Sequence, residues 1–110
     1  MMKKFDPVIM HRKVVEELHE LYVRKNTDYG NTFHDTFKEE GLAMSRIRLR
    51  DKMARFRTLS RSETDPKVNT ESIRDTLVDL ANYAIMTVME IDLKEQDGGC
   101  GKTGREEGGE

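Results

Sequence analysis

The chain has 110 residues, of which 36% are charged and 6% aromatic. Its Leu, Ile, Val and Met residues recur at helical spacing. This length, composition and spacing favour a single charged all-α domain over a disordered chain. A single cysteine, Cys100, excludes a disulfide framework and a cysteine-based metal site, and no apolar run approaches the roughly 18 residues that cross a membrane. The net charge of −2 indicates no particular partner, and because no signal peptide is present we expect a cytoplasmic protein.

Helical periodicity and helix end signals predict an all-α protein with three main helices that form a bundle. The predicted elements, in chain order, are helix one over 7–26, a loop over 26–41 with a short helical piece over 35–40, helix two over 42–61 and helix three over 71–94. We expect residues 1–96 to form the domain and the Gly- and Glu-rich residues 97–110 to form a disordered tail. Since a domain of this length has a modest core, we expect homo-oligomerisation, as a dimer or tetramer, to complete the bundle.

Helix three carries an acidic stripe opposite its main apolar arc. At 100° per residue, an arc of about 80° holds Glu71, Asp75, Asp79 and Asn82. The opposite arc holds Ile73, Leu77, Leu80, Ala84, Val88 and Ile91. Carboxylates one helical turn apart can converge on one cation, and Mg²⁺ takes oxygen ligands, so the stripe predicts a Mg²⁺ site. A second set of carboxylates is available on helix one, from Glu16 or Glu17 together with Glu20. Two alternatives stay open, because acids favour helix N-termini and because these carboxylates can pair with arginines of helix two.

Helix two is strongly basic. Seven cations lie within sixteen residues, namely Arg46, Arg48, Arg50, Lys52, Arg55, Arg57 and Arg61. Such a surface suits a polyphosphate or a nucleic-acid backbone, and the alternative is a solvated face that the acids of the other helices balance. Nucleic acid is the less expected partner, because acids interrupt the basic surface and aromatic stacking residues are missing from it.

The segment after helix one combines a cation, an amide, a carboxylate, a phenol and a glycine. These are Lys25, Asn26, Asp28, Tyr29 and Gly30. Such a set can hold a base or sugar by hydrogen bonding and stacking. The alternative is an ordinary helix stop, with Gly30 in a left-handed conformation.

Three segments resemble the phage and bacterial proteins described as nucleotide modification associated domain 1. They are KNTDYGNTF at 25–33, RLRDKMAR at 48–55 and ESIRDTLVDLANYAIM at 71–86, and the resemblance covers about residues 12–92. It implies a role in nucleotide metabolism or modification, in the host cytoplasm if the chain is phage-encoded. More distantly, EELHEL at 16–21 and the later acidic helix are similar to the all-α nucleoside triphosphate pyrophosphatases of the MazG and dimeric dUTPase type.

The MazG-type resemblance implies Mg²⁺-dependent hydrolysis of a (deoxy)nucleoside triphosphate to monophosphate and pyrophosphate. In that family an E-x-x-E helix and an E-x-x-D helix hold the metal ion. Glu17 and Glu20 match the first element, whereas Glu71 and Asp75 are four residues apart instead of three, and Asp79 could supply the missing ligand. The substrate contacts that we predict are Lys52 and Arg55 to phosphates, Lys25, Asp28 and Tyr29 to base or sugar, and Asn82 beside them. The rival interpretations are a non-catalytic nucleotide-binding protein and a helical interaction protein whose acidic and basic helices pair between subunits.

Overall fold

The computed structural model describes the backbone of residues 4–61 and 66–98. Within these ranges it contains no strand, and its helices are α1 Pro7–Tyr29, α2 Thr32–Glu40, α3 Leu42–Arg61 and α4 Pro66–Gly98. The all-α prediction is confirmed. The count of three main helices is wrong, because the expected short piece over 35–40 belongs to a full helix, α2, that begins immediately after a tight turn.

Local end signals explain the bounds of α1. The Asp6 carboxylate oxygen Oδ1 accepts hydrogen bonds from the backbone N–H groups of Val8 at 3.0 Å and Ile9 at 3.3 Å, which caps the helix ahead of Pro7. At the other end Gly30 has a φ of 69° and donates its N–H to the Asn26 carbonyl at 2.7 Å. The helix therefore runs beyond its predicted end at residue 26 and stops at the first residue that tolerates a positive φ.

The bounds of α3 agree with the sequence prediction, whereas those of α4 are wider. Gly41, with a φ of 69°, separates α2 from α3 and donates its N–H to the Phe37 carbonyl at 2.7 Å. The fourth helix begins at Pro66, a residue favoured in the first turn, so the predicted start at residue 71 is wrong. It also continues through 97–98, the first residues of the predicted tail, and the rest of that tail lies outside the described residues.

The chain divides into two compact units, Met1–Thr32 and Phe33–Glu110. The first contains α1. In the second, α3 and α4 pack against each other and α2 contributes Phe37 to a small core, which also includes Met44 and Val78. Among the described residues, no helix is both long enough and apolar enough to cross a membrane.

The apolar arc of helix three is only partly covered. Ile73 and Leu80 are half-buried, but Leu77 is 39% exposed and Val88 is 55% exposed, and the arc ends at an exposed Ile91. A different face of α4 meets α3, rotated away from this arc towards polar positions. The second unit therefore leaves an apolar surface open along most of its longest helix.

Candidate functional site

A row of polar side chains joins α3 to α4. Successive contacts link Ser45 with Thr87, Arg48 with Tyr83, Lys52 with Asp79 and Arg55 with Thr76. Residue numbers rise along α3 as they fall along α4, so the two helices are antiparallel. Steps of three and four residues keep each set on one helix face. We call these eight residues the polar seam.

Two cations and a carboxylate meet within one turn of α4 at one end of the polar seam. Lys52 Nζ lies 3.2 Å from Asp79 Oδ2, and the two side chains are 27% and 28% exposed. Arg55 Nε donates a hydrogen bond to Thr76 Oγ1 at 3.2 Å, and that hydroxyl donates to the Ser72 carbonyl at 2.8 Å. Thr76 is only 2% exposed, so a buried hydroxyl orients the Arg55 guanidinium.

An aromatic stack holds a third cation in the middle of the seam. The guanidinium carbon of Arg48 lies 5.9 Å from the ring centroid of Tyr83. The Tyr83 ring stacks on Phe33 at 6.1 Å, and Phe33 stacks on Phe37 at 6.5 Å, which ties α2 to α4. Each aromatic pair adds about 0.5–1.5 kcal/mol beyond its buried area, and the cation–π contact adds about 0.5–1 kcal/mol. Arg48 is thus positioned one helical turn from Lys52.

The other end of the polar seam, formed by Ser45 and Thr87, is more buried. Thr87 Oγ1 lies 2.8 Å from both Ser45 Oγ and the Tyr83 carbonyl, so a chain of hydroxyl hydrogen bonds ends on the backbone. Ser45 is 2% exposed, and no buried side-chain nitrogen or oxygen of the described residues lacks a partner. Since these hydroxyls bond each other and the backbone, and Ser45 is buried, the end of the seam that holds Lys52 and Arg55 is the one with charged groups open to a ligand.

A side-chain contact between His34 and Glu90 ties α2 to the C-terminal half of α4. His34 Nδ1 lies 2.8 Å and 3.0 Å from the two carboxylate oxygens of Glu90. Glu90 is buried, and an unpaired carboxylate at such a position is costly. The contact therefore explains how α4 accommodates an acid in its packed face.

The site residues predicted on helix one and the following loop all lie on α1. Glu17 and Glu20 are exposed and lie one turn apart. The loop predicted from residue 26 is wrong over Asp28 and Tyr29, because the helix continues as far as Tyr29. Lys25 and Asp28 are exposed, and the side chain of Tyr29 lies outside the described residues.

Burial divides the acidic stripe of α4. Glu71 and Asp75 are exposed, whereas Asp79 and Asn82 are half-buried. For Asp79 the structure supports the ion-pair alternative, with Lys52 as a partner. In the part of the chain that the structure describes, no group of three or more His, Cys, Asp or Glu side chains could hold a metal ion.

Sequence reasoning missed several residues of the polar seam. Thr76, Tyr83 and Thr87 lie between the acidic stripe and the apolar arc of α4. They are neither acidic nor aliphatic, so they belong to neither of these two groups of residues. A usable signal was the recurrence of polar side chains at steps of three and four on both helices. Arg48 was recognised only as one of seven cations on helix two.

The sequence model of the family described as nucleotide modification associated domain 1 matches residues 25–91. The match includes α2, α3, most of α4 and the whole polar seam. It also includes Lys25, Asp28 and Tyr29 but leaves out Glu17 and Glu20. No curated protein and no solved structure matches the chain.

Proposed function

We propose a nucleotide-related function, because the chain belongs to the nucleotide modification associated domain 1 family. The protein binds a nucleotide at the open end of the polar seam and acts in nucleotide metabolism or modification. The observation that carries this proposal is that Lys52 pairs with Asp79 while Arg55 bonds Thr76, one turn of α4 away, inside the matched range. Cations beside a carboxylate are the groups that a phosphate–metal complex requires.

Arg48, Lys52 and Arg55 supply the phosphate contacts. They recur at intervals of four and three residues, so they follow one face of α3. Thr76 accepts from the Nε of Arg55, and no other described residue bonds this guanidinium, so its two terminal NH₂ groups can take a phosphate. Arginine binds phosphate in a bidentate manner, whereas lysine acts as a compact point charge that can move between partners.

The Lys52–Asp79 pair couples phosphate binding to cation binding. A phosphate that takes Lys52 would remove one positive charge from beside Asp79, and a divalent ion bound there would supply that charge again. Each ligand therefore raises the affinity of the protein for the other, as linkage requires. Without a phosphate, Lys52 competes with the divalent ion for Asp79.

The carboxylates of α4 fit a Mg²⁺ ion that arrives with a nucleotide. Proteins usually hold Mg²⁺ through one or two carboxylates together with phosphate oxygens and waters, so a group of three acidic side chains is not required. Asp75 and Asp79, one turn apart, meet that need, and Glu71 lies one turn further away. Glu17 and Glu20 are further candidate ligands through the distant resemblance to MazG-type pyrophosphatases. Bound Mg²⁺ supplies neutralisation of phosphate charge and activation of a water.

The proposed reaction is hydrolysis of a (deoxy)nucleoside triphosphate to monophosphate and pyrophosphate. The water oxygen forms a bond to the α-phosphorus, and the bond from that phosphorus to the oxygen bridging it to the β-phosphorus breaks. Pyrophosphate leaves with the bridging oxygen. A water proton passes to a carboxylate, for which the exposed Glu71 and Asp75 are the candidates. Lys25, Asp28, Tyr29 and Asn82 are the proposed contacts to base or sugar.

Titration calorimetry with Mg²⁺ and a panel of nucleoside and deoxynucleoside triphosphates, followed by chromatography of the products, tests this function. We expect Mg²⁺-dependent binding and release of pyrophosphate. Asp75→Asn should abolish turnover, whereas Asp92→Asn, which removes an exposed acid from the same helix, should not. Absence of nucleotide binding at millimolar Mg²⁺ would contradict the proposal, and binding without turnover would leave only its non-catalytic form.

The exposed apolar arc of α4 favours a second candidate function, a helical protein-interaction oligomer. Leu77, Val88 and Ile91 lie along one side of the helix, and a second copy that covered them would complete the bundle as a dimer or tetramer. In this function the polar seam only holds α3 to α4. Asp79→Asn would then lower stability without any effect on ligand binding.

A further inference from the structure

A stripe of arginines runs along the face of α3 that points away from the polar seam. Arg46, Arg50, Arg57 and Arg61 are all exposed, and we call them the arginine stripe. At 100° per residue they fall in an arc of about 60°, whose centre lies about 170° from the centre of the α3 seam residues. At 1.5 Å per residue the stripe is about 22 Å long.

The charges of the arginine stripe are not balanced within the described residues. None of these four guanidinium groups forms an ion pair or hydrogen bond with a residue that the structure describes. The acid of α3, Asp51, lies about 80° around the helix from the nearest edge of the stripe. The objection that acids interrupt the basic surface therefore holds for the whole helix but not for this face.

We infer that the arginine stripe is a docking surface for the phosphate backbone of a nucleic-acid duplex. A length of about 22 Å of duplex carries about 13 phosphates on its two strands, at one charge per about 1.7 Å of axis, so four guanidinium groups have enough partners on the side that faces the stripe. Guanidinium forks match phosphate geometry, and the stripe contains no lysine. A free nucleotide is too short to span it.

A duplex fits this face better than a single strand does. Single-strand surfaces combine cations with aromatic side chains on which bases stack, and no aromatic residue lies within the arc of the stripe. Backbone contacts without base contacts give binding that is independent of sequence. The surface is separate from the Lys52–Asp79 end of the polar seam, so it goes beyond the proposed nucleotide site.

Fluorescence anisotropy with a labelled DNA duplex of mixed sequence, measured across a salt series, tests this inference. With three or four phosphate contacts we expect a slope of log K against log salt of about −2.7 to −3.6, which is a loss of about 40- to 150-fold from 50 to 200 mM salt. The triple variant Arg46→Gln/Arg50→Gln/Arg57→Gln leaves only Arg61 of the stripe, so it should bring the slope to between zero and about −0.9.

The matched control is Arg12→Gln/Lys13→Gln/Arg24→Gln, which removes the same charge from exposed positions scattered around α1. It should keep the slope of the unmodified protein. The inference is overturned if the control loses as much binding as the stripe variant, or if the unmodified protein does not retain the duplex at 50 mM salt. Tighter binding to a single strand of equal length, or to vesicles of anionic lipid, also overturns it. Nucleotide binding measured on the stripe variant should be unchanged, so failure here is distinguishable from failure of the proposed function.

Discussion

Substitutions in the Lys52–Asp79 ion pair distinguish a structural role from a phosphate-binding role, because the two roles predict different effects on stability and on binding. Lys52→Met keeps most of the aliphatic stem and removes the charge, and Asp79→Asn keeps the shape of the carboxylate. The two single variants and the double variant form a thermodynamic cycle that isolates the interaction between the side chains. Urea denaturation followed by circular dichroism gives the free energy of unfolding of each protein.

The geometry sets the size of the coupling that we expect. Charges 3.2 Å apart attract by about 1.3 kcal/mol at the dielectric of water and by about 5 kcal/mol at an effective dielectric of 20. Side chains that are 27% and 28% exposed lose part of this to screening and desolvation, and exposed pairs contribute about 0.2–1 kcal/mol. We expect a coupling of about 1 kcal/mol, and each single variant should lower Tm by about 4–8 °C. If the changes in the free energy of unfolding of the two single variants simply add in the double variant, the two side chains do not interact, which would refute the ion pair.

Binding of inorganic pyrophosphate separates the two roles. If Lys52 moves from Asp79 to a phosphate, Lys52→Met should weaken pyrophosphate binding about tenfold or more, the value of one charge-assisted hydrogen bond. Asp79→Asn should tighten binding in the absence of Mg²⁺, because Lys52 is released, and should weaken the Mg²⁺-dependent part. Weaker metal-free binding in Asp79→Asn would refute the exchange between carboxylate and phosphate.

Three further variants test the packing that supports the site. His34→Ala should destabilise the protein by about 1–3 kcal/mol in urea denaturation, because it leaves the buried Glu90 carboxylate without its partner; Glu90→Gln in the same background should recover part of the loss. Gly30→Ala should lower the free energy of unfolding by about 1–3 kcal/mol, because alanine is strained at φ 69° and ψ −143°. No atom lies within 4 Å of the new methyl group, so crowding would not contribute. An unchanged stability would contradict that backbone conformation. Val88→Glu should reduce the mass measured by sedimentation, whereas the control Lys94→Glu should not; equal masses would exclude the exposed arc as the subunit interface.

The sequence predicted those helix ends that strong local signals mark. Asp6 followed by Pro7 marks the start of α1, and Gly41 followed by an apolar periodic segment marks the start of α3. It failed where the signals were spread over neighbouring residues. Asn, Thr and Asp near the end of α1 are typical of turns, yet Thr27 Oγ1 donates to the Val23 carbonyl at 2.9 Å and the helix continues to Gly30.

The faces of the helices were harder to predict than their ends. An arc drawn through the most apolar residues of α3 holds Leu42, Leu49, Met53 and Phe56, of which Leu42 and Met53 are exposed and the other two are half-buried. The face that meets α4 contains Arg48, Lys52 and Arg55, because long cationic side chains can pack their methylene stems and still reach water or a partner with the charge. Hydropathy alone assigns such residues to solvent.

The candidate site was predicted as separate residues, not as an arrangement. Lys52, Arg55 and Asp79 were each singled out for their charge, on two different helices. Their meeting depends on the antiparallel register of α3 and α4, which pairs residue 52 with 79 and 55 with 76. No local signal in either helix specifies that register, because it results from packing along the whole interface.

The charged composition of the polar seam is itself an argument for function. If Lys52 and Asp79 served only to hold α3 against α4, uncharged side chains of similar volume would do so nearly as well, since partly exposed ion pairs contribute only about 0.2–1 kcal/mol. Ser45 and Thr87 show that uncharged groups connect these helices at the more buried end of the polar seam. The cations are concentrated instead at the end that solvent reaches, where they cost less and where a ligand can exchange with their partners. That distribution is expected for a binding site built on a helix pair, and the pyrophosphate measurements above distinguish it from the ion pairs of a structural interface.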